Sequence, residues 1–427
     1  MKEFTELGQL IETQWRDKNY NDDAFPEIAA NALMEADLVS KIDLWDPVRW
    51  VHTTTDFRPQ QDAQANFGDP PITLFVGRRF YIDVYYWLDS TTSIHEHGFS
   101  AAFQVLHGGS VHGEYNFEKV LEINRRFRIG DISLKNVSLL SKGDIRMIPS
   151  GSRFTHSLFH LERPSATIVV RTMGGDVRQF NYEKPYLGFD GFYTESWMRR
   201  IVQTVSLLLS TNHPDADQMI CNLLDTSDFH TTFGILNTAF GHLGGNKIEQ
   251  LFRVSKSMDR FHAMLAHARR RHGTMADLLL AVFEERLRQH DIVTRRGMIE
   301  GAEHRLFLGL LLNVPERSKL LELIGQRFPD EDAVELVIRW VKELSGIKVF
   351  GSPEPNVLGI KGIDDMYLKV LAGCLKGLPK DEVEARVAQD HPNGAIDETI
   401  ANIKDATIFK SLFSEDQKKV HEVLVSE

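Results

Sequence analysis

The periodicity of apolar residues changes once along this chain, and that change restricts the possible folds more than any other feature. From residue 72 to about residue 185, short stretches rich in β-branched and aromatic residues alternate with glycine, aspartate, serine and proline, a pattern typical of barrel or sandwich strands. From about residue 190, apolar residues recur every three or four positions almost to the end. This segregation predicts an α+β chain in which an all-β domain precedes a large, mainly α-helical region.

Interruptions in the two patterns predict four segments. Residues 1–50 have helical spacing, with Pro26 where it suits the first turn of a helix. Residues 51–187 carry the strands and residues 190–345 the main helical domain. Residues 346–427 begin with "GIKVFGSPEPNVLGIKG", where glycine and proline mark a boundary, and form a small C-terminal helical module.

Composition argues against several classes of function. The chain has 49 lysines and arginines against 60 aspartates and glutamates, a formal net charge of −11, which disfavours broad binding to nucleic acid or to an anionic membrane surface. Its two cysteines, Cys221 and Cys374, are far apart and indicate neither a disulfide framework nor a cysteine zinc cluster. No signal-peptide pattern or long apolar run is present in the sequence. We therefore expect a cytoplasmic protein without nucleic-acid or membrane partners.

The stretch "SIHEHGFSAAFQVLHGG" contains two histidines one residue apart, His95 and His97. Alternate side chains of a strand share a face, so both imidazoles can point into one interior. Two rings on a rigid strand suit a divalent metal ion, and a third ligand is expected from a neighbouring strand that is distant in sequence. The stretch "RFTHSLFH" offers two candidates for that ligand, His156 and His160.

Other polar residues in the β region have weaker support for a role in chemistry. His107 and His112 fit no ligand pattern, and Glu114 suits a solvated strand face. In "RFYIDVYYW" one alternating set is core, and the set that contains Asp83 is the better candidate for a polar pocket or for a contact with the helical region. In the helical region, three histidines are spaced by five residues: His262, His267 and His272. This spacing places them on different faces of a helix, so we predict no metal site there.

The two histidine-bearing stretches resemble the two sequence motifs of the cupin superfamily. In the first cupin motif, an HxH pair is followed after three or four residues by glutamate and then by glycine. The second motif has a glycine, five residues, Pro-x-Gly and then a histidine. The stretch "GDIRMIPSGSRFTH" matches it at Gly143, Pro149 and Gly151, with His156 two residues later than the common spacing. The resemblance implies that the all-β domain is a cupin barrel, also called a double-stranded β-helix.

The resemblance also implies a ligand set of His95, His97 and His156, with His160 as the alternative third ligand. Ala101 and Ala102 occupy both positions where the motif glutamate could fall. In this respect "SIHEH" followed by "AAFQVLHG" is similar to thiol dioxygenases of the cysteine dioxygenase type, which hold ferrous iron with three histidines. No catalytic residue beyond the ligands can be assigned from the pattern.

The function implied by this resemblance is that of a mononuclear non-haem Fe(II) dioxygenase or other oxygenase. Its substrates would be O2 and a small metal-chelating molecule, such as a thiol or an enolate. The alternatives are a cupin isomerase or lyase that uses nickel, manganese or zinc, and a noncatalytic ligand sensor or interaction protein. The helical region is expected to shape access to the barrel or to form a homodimer.

Overall fold

The structure is a computed structural model that describes residues 1–56, 58–61, 68–88, 92–174, 177–244, 257–349, 355–391, 394–413 and 418–425. The chain forms two compact units. Unit 1 comprises Met1–Glu118, Ile132–Glu183 and Gly188–Phe192. Unit 2 comprises Lys119–Asp131, Lys184–Leu187 and Tyr193–Glu427. The borders predicted from sequence at residues 50, 187 and 345 remain predictions.

The strands of the described residues form an antiparallel sheet and a closed barrel. They are β1 (Pro71–Val76), β2 (Phe80–Trp87), β3 (Ile94–His97), β4 (Ala101–His107), β5 (Ser110–Asn124), β6 (Phe127–Leu140), β7 (Ile145–Ile148), β8 (Gly151–His160), β9 (Ser165–Thr172), β10 (Phe180–Glu183) and β11 (Leu187–Asp190). Five strands make a sheet in the order β1-β2-β9-β4-β7. The other six close into a barrel in the order β10-β11-β6-β5-β8-β3. The two motif stretches therefore meet as neighbouring barrel strands, β3 and β8.

Four helices precede the strands: α1 (Lys2–Asp17), α2 (Phe25–Ala36), α3 (Leu38–Lys41) and α4 (Asp46–Thr53). The apolar faces of α1 and α2 pack on one face of the five-stranded sheet in a single buried cluster. At its centre Phe80 of β2 lies against Trp15 and Phe25, with ring centroids 6.3 Å and 5.7 Å away. Burying such large rings supplies the hydrophobic stabilisation that holds the helices to the sheet.

The opposite face of the five-stranded sheet lines the interior where the candidate site lies. Tyr85 and Trp87 of β2 join Phe103 of β4 in a buried cluster that also contains Leu140 of β6 and Leu158 of β8. This cluster therefore lies between the sheet and the barrel strands. The alternation along β2 separates the two sets predicted from "RFYIDVYYW": Tyr85 and Trp87 face this interior, whereas Phe80 faces the helices.

Unit 2 is mainly helical. Its helices are α5 (Ser196–Ser210), α6 (Ala216–Thr226), α7 (Phe229–Leu243), α8 (Met258–His272), α9 (Met275–Gly297), α10 (Ala302–Asn313), α11 (Arg317–Arg327), α12 (Ala333–Ser345), α13 (Asp365–Lys376), α14 (Lys380–Ala388), α15 (Ile396–Asp405), α16 (Lys410–Phe413) and α17 (Val420–Val425). Phenylalanine rings from α7, α8 and α9 meet in its core, where Phe283 lies 5.2 Å from Phe240 and 5.0 Å from Phe261. Aspartates cap several of these helices, among them Asp228 before α7 and Asp332 before α12.

The predicted fold class, an all-β barrel domain followed by a large, mainly α-helical region, is confirmed. The strands β10 and β11 have four residues each, and strands this short leave little periodicity to detect in the sequence. Several residues of β5 after Phe117 are exposed and lack an apolar alternation, so the sequence does not mark this part of the strand either. None of the described helices is long and apolar enough to cross a membrane.

Candidate functional site

The structure brings His95, His97 and His156 together on the adjacent strands β3 and β8. His95 lies directly opposite His156 in the antiparallel register, and His97 lies opposite Gly151, with an irregularity between the two pairs. Residues directly opposite each other project to the same face, so the two strands present the three rings together. Gly151 has a φ of 73°, a left-handed conformation that glycine adopts without strain. This explains why a glycine stands where β8 begins.

The three imidazoles form a compact, buried group. Their ring centroids are 4.5 Å apart for His95 and His97, 4.9 Å for His95 and His156, and 5.0 Å for His97 and His156. The Nε2 atoms of His97 and His156 are 2.9 Å apart. One potential ligand atom from each residue lies within 4.8 Å of the others, and no other group of three potential ligands of this kind occurs in the described parts of the chain. The exposed fractions of the three residues are only 2%, 5% and 1%.

Hydrogen bonding fixes which nitrogen of His95 carries the proton. Nδ1 of His95 lies 2.7 Å from the carbonyl oxygen of Ser93. A carbonyl can only accept, so Nδ1–H donates and Nε2 keeps its lone pair in the neutral ring. A metal-binding histidine commonly has this second hydrogen bond, which sets both its tautomer and its ring orientation.

All three histidines are neutral near pH 7. Burial lowers the pKa of His95, against a smaller opposite effect of the Ser93 carbonyl. Burial also holds the pKa of His97 well below its usual value, and positive charge on His95, when that ring is protonated, and on Arg171 acts in the same direction. The pKa of His156 is well below its usual value for the same main reason. Neutral imidazole is the form that binds a metal ion, so burial keeps the group competent for ligation.

A fourth histidine, His112 of β5, contacts the group through the ring of His156. Its Nε2 lies 3.0 Å from Nδ1 of His156, and the residue has no exposed surface. Burial, helped by the positive charge of Arg146, lowers the pKa of His112 to about 4. The sequence prediction gave His112 no functional role because it matches neither motif. The pairing of β5 with β8 is what brings His112 to His156, and strand pairing cannot be read from a single sequence.

Aromatic side chains and one cation surround the histidines. The ring of Phe99 lies 4.8 Å from that of His97. Phe154 lies 4.7 Å from His156, and Phe103 is 6.4 Å from it. The guanidinium carbon of Arg171 stands 3.5 Å from the centre of the Phe99 ring. The three histidines thus lie in largely apolar surroundings, with a positive charge near His97.

The two alanines of the first motif face different environments. Ala101 belongs to the interior cluster and lies opposite Arg171 of β9, whereas Ala102 belongs to the cluster beneath the N-terminal helices. Ala101 is therefore the position from which a carboxylate would face the interior. Asp83 is fully buried on β2, opposite Val169. The register places it diagonal to Arg171 on the same face.

The remaining candidates from the β region lie outside the three-histidine group. His160 stacks on Trp87, with ring centroids 4.6 Å apart, and its Nδ1 is 2.8 Å from Oγ of Ser165. His107 is exposed at the end of β4. Glu114 lies opposite His156 in the strand register, is partly exposed, and has an oxygen 3.9 Å from Nζ of Lys135.

The histidines of the helical region do not converge on one another. His262 is exposed. His267 pairs with Asp225 at 3.0 Å. His272 contacts the Thr232 hydroxyl at 2.9 Å. These contacts connect helices of unit 2, which is a structural role.

No protein-family model matches this chain, and no curated protein matches it. Among solved structures, it is similar to a cupin-2 domain protein from Shewanella frigidimarina, with 14% identity and a TM-score of 0.18 over 26% of this chain and 86% of that one. A double-stranded β-helix protein from Klebsiella pneumoniae is 15% identical, with a TM-score of 0.21, over 34% of this chain and 95% of that one. Oxalate decarboxylase from Bacillus subtilis is 15% identical, with a TM-score of 0.17, over 24% of each chain. Likenesses this low carry no conclusion about function.

Proposed function

We propose that this chain is a mononuclear non-haem Fe(II) oxygenase of the cupin type, acting with O2 on a small metal-chelating anion. The observation that carries the proposal is the buried group of neutral imidazoles from His95, His97 and His156. That group contains no carboxylate. Imidazole binds iron, zinc, copper and nickel, so the donor set fits a divalent transition metal.

The geometry of the group fits one metal ion. Two nitrogens bound at about 2.1 Å to one ion at a right angle are about 3.0 Å apart, and Nε2 of His97 lies 2.9 Å from Nε2 of His156. His95 already carries its proton on Nδ1, which leaves Nε2 as the donor atom. The three histidines would therefore hold the ion through Nε2.

The charge around the site favours an anionic substrate. Three neutral ligands leave a divalent ion with its full charge of about +2, and Arg171 adds positive charge near His97. Beside the apolar rings of Phe99 and Phe154, electrostatic attraction is stronger than in water. A thiolate or an enolate that chelates the metal fits these conditions.

The protein's own contribution is to position the substrate and to exclude water. The Ser93 carbonyl orients His95, and the aromatic rings shield the reacting region from solvent. Arg171 would hold the negative charge of the substrate on the His97 side. Fe(II), when bound, supplies the reactivity toward O2 that no side chain has.

The proposal extends to partners and location. The net charge of −11 and the two separated cysteines favour a cytoplasmic protein whose partners are a small molecule and O2, without nucleic acid or membrane. The helical region would either shape access to the barrel or form a homodimer, and the mass in solution tests the second of these roles.

The experiment is anaerobic loading with Fe(II), followed by oxygen-electrode measurements against a panel of thiols, enolates and diketones. We expect O2 uptake with at least one compound, and none from the His97→Ala protein or from wild type loaded with zinc. Turnover without O2 uptake in protein loaded with nickel, manganese or zinc would replace the oxygenase with an isomerase or lyase. Ligand binding without any turnover would favour a sensor.

A further inference from the structure

His112 lies in the interior wall with one close polar contact to the histidine group. Its Nε2 is 3.0 Å from Nδ1 of His156, and the two rings are inclined at 81°. At this distance the contact is a hydrogen bond in which one nitrogen donates and the other accepts. Both rings are almost completely buried, and a neutral imidazole carries a single N–H.

Ligation by His156 determines the direction of this hydrogen bond. Nε2 of His156 faces Nε2 of His97, and it binds a metal only as a bare lone pair. The single proton of His156 then resides on Nδ1, which donates to Nε2 of His112. His112 must accept there and carry its own proton on Nδ1.

This tautomer of His112 is unfavourable in free energy, because its Nδ1–H is buried without an acceptor. Nδ1 of His112 has no hydrogen-bond partner within the described residues. The ring of His112 has aromatic neighbours in Phe103 and Phe154, whose ring centres are 6.4 Å and 5.9 Å from its own. A buried N–H without an acceptor is unfavourable, and the hydrogen bond from the ligating His156 would offset that loss.

We infer that His112 is a positioning residue for the metal: by accepting the Nδ1–H of His156, it keeps the Nε2 lone pair of His156 directed into the three-histidine group. The inference rests on the proposed metal site. Contacts of this kind orient ligands from outside the coordination sphere, and their loss weakens metal binding about 10- to 100-fold.

The first test measures the affinity of the full chain for zinc, a diamagnetic probe of the site. His112→Leu removes the acceptor, whereas His112→Gln keeps an acceptor oxygen at a similar reach. Phe103→Leu alters packing beside both rings without touching the hydrogen bond. We expect His112→Leu to bind zinc about 10- to 100-fold more weakly than wild type. The His112→Gln and Phe103→Leu proteins should stay within about threefold, provided that thermal melts show all three folded.

The second test needs no variant. In zinc-loaded wild type labelled with ¹⁵N-histidine, the nitrogen shifts should identify both His156 and His112 as Nδ1–H tautomers. A zinc-loaded protein with His112 protonated on Nε2, or a His112→Leu protein with wild-type affinity, would overturn this inference alone. Equal weakening by His112→Leu, His112→Gln and Phe103→Leu would also overturn it, because packing would then explain the effect. A wild-type protein that binds no zinc would instead remove the proposed function, and this inference with it.

Discussion

Nε2 of His97 lies 2.9 Å from Nε2 of His156, although 59 residues separate them in the chain. The contact exists because β3 and β8 are neighbours in the barrel and present both rings on one face. Two neutral imidazoles this close share one proton between them. A metal ion at the site must therefore displace a hydrogen bond that already holds its ligands in place.

The two alanines of the first motif should respond differently to a carboxylate. In Ala101→Glu the new side chain faces the interior beside Arg171, whereas in Ala102→Glu it enters the apolar cluster beneath the N-terminal helices. A buried carboxylate without a partner is strongly destabilising, so Ala102→Glu should lose about 3–5 kcal/mol or fail to fold. Ala101→Glu should stay folded with a smaller loss. Urea denaturation compares them, and equal losses would refute the assignment of their faces.

His160 should prove structural, in contrast to His156. His160→Gln loses the stacking on Trp87 and alters the contact with Ser165, at a cost of about 1–3 kcal/mol in the free energy of unfolding. Its zinc affinity should stay within about threefold of wild type, because His160 lies outside the three-histidine group. His156→Gln is the matched variant and should lose affinity. The opposite pattern in a zinc titration would mean that His160 is the third ligand.

The metal-free protein should lose stability as the pH falls below about 6.5. The folded-state pKa values of the buried histidines lie below the usual value of 6.5, and that of His112 is about 4. Between the usual pKa and the lowered folded-state pKa of each histidine, the unfolded chain binds a proton that the folded chain does not bind. Each such histidine therefore lowers the free energy of unfolding by up to about 1.4 kcal/mol per pH unit.

Denaturation of metal-free protein at pH 7, 6 and 5 measures this slope. His112→Gln removes one of the titrating groups and should flatten the profile. A profile as steep in His112→Gln as in wild type would show that His112 does not resist protonation in the folded state.

The packing of the N-terminal helices should contribute strongly to stability. Phe80 is fully buried between the sheet and the rings of Trp15 and Phe25, so Phe80→Ala should lower the free energy of unfolding by about 3–5 kcal/mol. Phe192 is 71% exposed, and Phe192→Ala should change the free energy of unfolding by less than about 0.5 kcal/mol. Comparable losses in the two proteins, measured by urea denaturation, would contradict this account of the core.

Local patterns predicted the fold class and indicated the candidate histidines, because each pattern has a short-range cause. Alternation places His95 and His97 on one face, and Gly151, which has a positive φ, begins the strand of His156. Metal binding by these histidines stays a prediction. The role of His112 and the opposite environments of Ala101 and Ala102 depend on strand pairing. Pairing is decided by long-range packing, which a single sequence does not display.

The most direct test of the central claim is the amount of metal bound per chain. After anaerobic incubation with Fe(II) and removal of the excess, wild type should retain about one equivalent by mass spectrometry. His95→Ala, His97→Ala and His156→Ala should each retain little while staying folded, and Glu114→Gln should retain as much as wild type. Full retention in any of the three histidine variants, or loss of metal in Glu114→Gln, would contradict a site made of three histidines without a carboxylate.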